Sequence, residues 1–178
     1  GSDGSGYELL EAFGHRCNRS FPAIVQLITD TKKTKALAGI KWICKVTARA
    51  GNQKRVEKGE VLFTDYGLSG PPILQISRLI SLRGKGEISL DLFDGTGKQD
   101  IFGEISRRRA EFADRECMEL LTGLINKRLG QTAVKSAGIS LSRKCGSLTD
   151  AEIDRIAETL KNFTLTATGT KGWNMAQV

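Results

Sequence analysis

"LTDAEIDRIAETLKNFTLTATGT", Leu148 to Thr170, holds two periodicities back to back. Thr149 and Glu152 have capping-box spacing: the hydroxyl reaches forward to an amide and the carboxylate reaches back. Leu148 and Ile153 stand where a hydrophobic staple would close over that box. Ile153, Ile156, Ala157, Leu160 and Phe163 then recur at helical intervals. From Thr164 the residues change to β-formers, "TLTATGT". A strand placed directly after a helical run needs partners, and these lie much earlier in the chain.

Working back, "FPAIVQLIT", Phe21 to Thr29, is β-rich, with Pro22 tolerated at a strand start. "TDTKKTK" reads as a solvated basic loop. "IKWICKVTAR", Ile40 to Arg49, alternates apolar and polar residues, so one face of that strand is buried. Gly51 and Asn52 suit a hairpin turn. "KRVEK" returns, "GEVLFTD" adds a strand, and "EISLDLF", Glu87 to Phe93, alternates again. Between them Ile73, Leu74, Ile76, Leu79 and Ile80 share one helical face. From about Asp100 to Phe163 the pattern is helical, and "CMELLTGLINKRLGQTAVKSAGI" reads as two short helices. At the start, Ser5 and Glu8 predict a capped helix over 7–13 that stops at Gly14. "GWNMAQV" reads as a strand.

The order is strands, helices, then one returning strand, with no sustained βαβ alternation. It predicts an α+β fold: a small antiparallel β-barrel, over 21–95 plus 162–170, with a helical-bundle subdomain inserted over 96–161. Closure of the barrel would remove exposed strand edges.

The bulk numbers narrow the function. A chain of 178 residues can bury a core without staples. No apolar run approaches the roughly 20 residues that span a bilayer, and no signal segment is visible. Cys17, Cys44, Cys117 and Cys145 are scattered, so reduced thiols in a cytoplasm are expected rather than disulfides. His15 and Cys17 lack the further ligands that a zinc site needs, so no metal is expected. The chain carries a net charge of +7. Arg107 to Arg109, "TKKTK" and "NKRLG" could follow a phosphate backbone, although aromatics are not interleaved with them. A stand-alone basic nucleic-acid-binding module is therefore the alternative reading.

Chemistry is best sought in "LFTDYGLSGPPILQIS", Leu62 to Ser77, where a strand meets a glycine turn and a proline-started helix. Ser69 suits an N-cap, and Pro71 suits the first helical turn because its missing N–H would be unpaired anyway. Gly67 and Gly70 permit conformations closed to other residues. Such a helix start can hold an anion or approach a flat ring, or it can be a well-capped turn and nothing more. "GSDGSGY" and "GTGKQD" lack dinucleotide spacing, and no Walker A or Rossmann fingerprint occurs.

"GEVLFTDYGLSGPP" resembles a motif close to G-E-[LV]-L-F-T-x-x-G-[LIV]-S-G-P of bacterial flavoproteins. These are the aminoacetone oxidase-like, or NAD(P)/FAD-dependent, oxidoreductases, which include bile-acid dehydro-reductases. The matching residues are Gly59, Glu60, Val61, Leu62, Phe63, Thr64, Gly67, Leu68, Ser69, Gly70 and Pro71. Asp65 stands where many members carry histidine. "GSDGSGYELLEAFGH", "FPAIVQL" and "GWNMAQV" are similar to the family's flanking segments, in the same order.

The resemblance implies that this chain is the insert, or substrate-side, domain of a larger cytoplasmic flavoprotein. Residues 1–20 and 171–178 would then be flanking pieces of an FAD-binding domain whose remainder is this chain's partner. FAD, with NAD(P)H as reductant and a small-molecule substrate, would belong to the parent, and the fragment would be inactive alone. Gly67, Leu68, Ser69, Gly70 and Pro71 would face cofactor or substrate. Asp65, Tyr66 and Ser69 are the candidates for proton transfer.

Overall fold

The computed structural model describes residues 3–177. Six antiparallel strands close into a barrel: β1 (Leu27–Thr29), β2 (Lys41–Ala50), β3 (Gln53–Phe63), β4 (Gly67–Ser69), β5 (Gly86–Asp91) and β6 (Phe163–Thr170). Their order around the barrel is β1-β4-β3-β2-β5-β6. β6 closes it, pairing with β5 through Leu90↔Phe163 to Gly86↔Ala167 and with β1 through Leu27↔Thr170. The expected barrel with a late returning strand is the fold observed.

Alternation explains the inside of the barrel. On β2, Cys44, Val46, Ala48 and Ala50 point inward and are 0–4% exposed. They meet Val61, Phe63, Ile88, Leu90, Phe163, Leu165 and Ala167 in the core. Phe63 and Phe163 stand edge to face at 6.4 Å. Helix α3 (Pro71–Arg83) leaves β4, returns to β5, and contributes Ile73, Ile76, Leu79 and Ile80 to the same core.

The helical region enters from Asp91 and leaves into Phe163. It contains α4 (Lys98–Glu111), α5 (Lys127–Ser136) and α6 (Asp150–Lys161). The capping box of α6 forms as the spacing predicts. Thr149 Oγ1 accepts from the Glu152 amide at 3.3 Å, and Glu152 accepts from the Thr149 amide at 2.9 Å. Leu148 and Ile153 are both buried. The arginine cluster does not face solvent as a free patch. Arg107 pairs with Glu104 and Glu111, Arg108 with Glu104, and Arg109 with Asp150. Arg108 also donates to the Thr122 carbonyl and Arg109 to that of Leu148, so these side chains tie α4 to its neighbours.

Several local expectations change. The first of the two helices expected after Cys117 is a series of turns. The Cys117 and Met118 amides bond instead to the carbonyls of Arg143 and Leu141. "TKKTK" is not a loop: Asp30 caps the Lys32 amide and starts helix α2 (Thr31–Thr34), which runs into a 3-10 turn over Lys35–Leu37. Only Leu27–Thr29 of the Phe21–Thr29 run pairs as a strand, because Ile24 adopts φ 50° and breaks the extension. The first helix, α1, spans Ser5–Ala12, and its N-cap is Gly4. Asp3, rather than Ser5, supplies the side-chain acceptor, receiving the Ser5 amide at 3.0 Å. "GWNMAQV" contains a 3-10 turn at Trp173–Met175. Val178, like Gly1 and Ser2, lies outside the described residues.

Two acids link this region to pH. Arg143 first, and then the Thr149 amide, hold Glu152 down to about 2, while Arg107 and then Arg108 hold Glu104 down to about 2. A folded pKa below the unfolded value adds stability above the unfolded pKa and loses it as pH falls toward the folded one. Thermal stability should therefore decline from about pH 4.5 to about pH 2. In Glu104→Gln/Glu152→Gln that decline should be shallower, as scanning calorimetry across the interval would read. An unchanged slope would exclude these two pairs as its source.

Candidate functional site

The conspicuous motif lies where β3 turns into β4 and β4 into α3. Thr64 closes the turn from both sides. Its amide donates to the Gly67 carbonyl at 2.9 Å, and its hydroxyl accepts the Gly67 amide at 3.0 Å. The Tyr66 carbonyl accepts the Thr29 amide at 3.0 Å, which anchors the turn to β1. The Lys171 ammonium sits 4.2 Å from the centre of the Tyr66 ring.

The glycines are explained by the barrel itself. A Cβ on Gly67 would lie 2.3 Å from the Leu27 carbonyl oxygen and 2.7 Å from the Thr29 nitrogen. A Cβ on Gly70, where φ is 99°, would lie 2.3 Å from the Glu60 carbonyl oxygen. Both positions are glycine because neighbouring backbone occupies the side-chain space. Leu68 is fully buried in the barrel core.

The helix start offers no anion cradle. Ser69 is not the N-cap; Gly70 is, and no side chain caps it. Pro71 and Pro72 have no N–H, and the amides of Ile73 and Leu74 both bond to the Gly70 carbonyl at 3.0 Å. Each amide of the first turn is thus absent or used.

The motif is split across the barrel. The backbone of Asp65 and Tyr66 lies at the end toward α2, while the Tyr66 ring reaches the Lys171 ammonium just beyond β6. Ser69, Gly70 and the exposed Pro71 lie at the opposite end, where the chain enters β1 and leaves β6. Three residues of β4 separate the two groups by roughly 10 Å. Among the described residues no hydrogen bond joins the three proton-transfer candidates, Asp65, Tyr66 and Ser69.

At that opposite end the terminal segments meet. The Lys171 amide bonds to the Gln26 carbonyl and the Gln177 amide to the Ile24 carbonyl. These segments expose Trp173 at 60%, with Ile24 and Met175, and helix α1 and its end expose Tyr7 at 52% and Phe13 at 76%, with Leu9 and Leu10. No residue of α1 is buried. Such a concentration on segments outside the barrel was not read from the sequence, although the apolar residues of α1 were there to be noticed.

Other candidates hold little chemistry. A shallow depression lined by Lys41, Trp42, Ile43 and Glu60 lies on β2 and β3, and another is lined by Gly4, Gly6, Tyr7 and Leu10. All four cysteines are free. Burial pushes the Cys44 and Cys117 thiols up to about 12, which leaves them poor nucleophiles. Among the described residues no group of three potential metal ligands occurs, and no helix is long and apolar enough to cross a membrane.

Known proteins are similar to this chain in sequence. The chain is 31% identical to a 3-dehydro-bile acid delta(4,6)-reductase of Clostridium scindens, over all of the chain and 45% of that protein. It is 25% identical to a ribosomal RNA dihydrouridine synthase of Haemophilus influenzae, over 97% of the chain and 41% of that protein. The chain thus spans under half the length of both relatives. The pattern of a barrel carrying a helix-two-turns-helix unit matches residues 21–178, and the chain belongs to the HI0933-like protein barrel and H2TH domain family.

Proposed function

We propose that this chain is the substrate-side part of a flavin-dependent oxidoreductase, with NAD(P)H as reductant. Residues 21–95 plus 162–170 would be its barrel unit and 96–161 its helical unit. FAD would be held by a domain formed elsewhere in the polypeptide, to which 1–20 and 171–178 belong. The observation that carries this is the exposed apolar surface of the terminal segments, of which Ile24, Trp173 and Met175 lie on the segments paired where the chain enters and leaves the barrel. Both relatives extend for more than half their length beyond the matched part, so there is chain available to cover it. Both relatives' names denote reductions.

The described residues do not make an FAD site alone. The start of α3 has no free donor, and the chain has no dinucleotide fingerprint. Of the five residues proposed to face cofactor or substrate, Gly67 and Leu68 serve the barrel wall and core. Ser69, Gly70 and Pro71 are left to border the covered surface.

The purified 178-residue chain should be colourless, should not quench added FAD, and should not oxidise NAD(P)H. The longer parent should copurify with flavin, and Phe13→Ser/Trp173→Ser in it should lower flavin occupancy. A yellow or active 178-residue chain would overturn the reading, as would a parent without flavin.

A second reading concerns the substrate. One relative is named for acting on ribosomal RNA, and this chain has an excess of seven positive charges. A nucleotide within RNA, in place of a free small molecule, fits both observations.

A further inference from the structure

Among the described residues, twelve of the 27 lysines and arginines form ion pairs, including the whole Arg107–Arg109 cluster. The charge left over is not spread evenly. Lys32 and Lys35, on α2 and the 3-10 turn after it, are exposed and form no ion pair among the described residues. Neither does Lys127, the first residue of α5. Folding brings these segments together across some 90 residues of sequence. The Arg128 guanidinium reaches over and donates to the carbonyls of Ala36 and Ala38, at 3.3 and 3.4 Å. Arg128 is thus the strut of a cationic surface with Lys32, Lys35 and Lys127 around it.

The helix dipole suits Lys32 and Lys35, which lie in last turns, but does not ask for the charge at Lys127. Acidic side chains favour the first turn of a helix and cations disfavour it. The chain follows that rule with Asp100 on α4 and with Asp150 and Glu152 on α6. α5 breaks it, opening with Lys127 and Arg128 and no acid. Arg128 has a structural reason; Lys127 has none. Helix amides are not the attraction, because the Asn126 side chain takes those of Arg128 and Leu129. Asp30 is the nearby acid in sequence, and its carboxylate is held on the Lys32 amide. Lys33 is engaged too, donating to the Thr164 carbonyl at 2.9 Å.

We infer that Lys32, Lys35 and Lys127 form a contact surface for the phosphate backbone of RNA, at the end of the barrel away from the exposed apolar segments. Mobile ammonium groups on separate elements suit a repeating, irregularly placed anion, and the bound strand would release counterions. The inference rests on the second reading above, with RNA as the molecule that carries the substrate. A strand held here would be positioned by its backbone, leaving its bases to be read elsewhere.

The test is fluorescence anisotropy of the 178-residue chain with a labelled RNA stem-loop across a salt series. Binding should be present at low salt. Lys32→Gln/Lys35→Gln/Lys127→Gln should weaken it on the order of 100-fold at ~0.1 M salt and reduce the logarithmic salt slope by about 2. Lys54→Gln/Arg55→Gln/Lys85→Gln removes the same charge elsewhere and should change affinity less than about threefold. Equal weakening by both triples, with RNA still bound by the wild type, would sink this surface and leave the RNA reading standing. No RNA binding at low salt would sink both. A polyglutamate chain competing as well as RNA would make this a docking face for an acidic protein and overturn the assignment.

Discussion

Gly67→Ala should lower the thermal midpoint by roughly 6–12 °C, whatever it does to activity. The new methyl would fall 2.3 Å from the Leu27 carbonyl oxygen and 2.7 Å from the Thr29 nitrogen, both of them backbone on the adjoining strand. Backbone in a closed barrel cannot rotate away, so β1 must separate from β4 or the turn at Thr64 must reopen. Overpacking of that kind costs about 1–3 kcal/mol, and the positive φ of 152° adds strain of order 1 kcal/mol. Gly70→Val should behave the same way, since its Cβ meets the Glu60 carbonyl oxygen at 2.3 Å. Gly138→Ala separates the two terms: its φ is 82° but nothing lies within 4 Å of the added methyl. It should cost only the backbone part, about 1 kcal/mol. Were Gly67→Ala no worse than Gly138→Ala in a calorimetric scan, the close-approach account would be wrong.

The contrast shows what one sequence can reveal. The α6 capping box, the alternation on β2 and the apolar face of α3 were legible because their causes lie within a few residues. Two glycines in a turn were also visible, but not their reason: the atoms that forbid a side chain belong to Leu27, Thr29 and Glu60. Likewise, "TKKTK" looked like solvent-facing loop because lysine dominates it, while Thr34 within it and Leu37 two residues after it are buried. Cys117, Leu120, Leu121 and Ile125 have a spacing that suits helix or compact turns equally. The choice is made by backbone bonds to Leu141 and Arg143. The approach of α5 to the turn at Lys35–Leu37 depends on Arg128 and two distant carbonyls, for which no local pattern exists. Conversely, the family motif was visible, and its chemical reading rested on Gly67, Gly70, an expected Ser69 N-cap and the start of α3, where the cap is Gly70 and the first-turn amides are absent or used.

Asp91→Ala should be the other severe change, through the joint between barrel and helices. Asp91 ends β5 and is 6% exposed. Its carboxylate accepts from the Lys161 ammonium at 2.8 Å, from Lys45 at 3.4 Å and from the Phe93 amide at 3.2 Å. Lys161, the last residue of α6, also donates to the carbonyls of Phe93 and Thr96. The entering and leaving strands of the helical region are thereby pinned through one acid. Removing one partner of a buried pair strands the other, at about 3–5 kcal/mol, so the midpoint should fall by roughly 6–20 °C. Lys45→Met should cost under about 1 kcal/mol, because Lys45 is 43% exposed and water screens the pair. Asp91→Asn keeps an acceptor for the Phe93 amide and should fall between. Trp42 offers a local probe, since its indole nitrogen donates to the Leu92 carbonyl at 2.8 Å. In a Trp173→Phe background its fluorescence should change before the far-ultraviolet dichroism of the helices when Asp91→Ala is heated. Coincident transitions at the wild-type midpoint would mean that the joint is held by apolar contact, with Asp91 merely seated upon it.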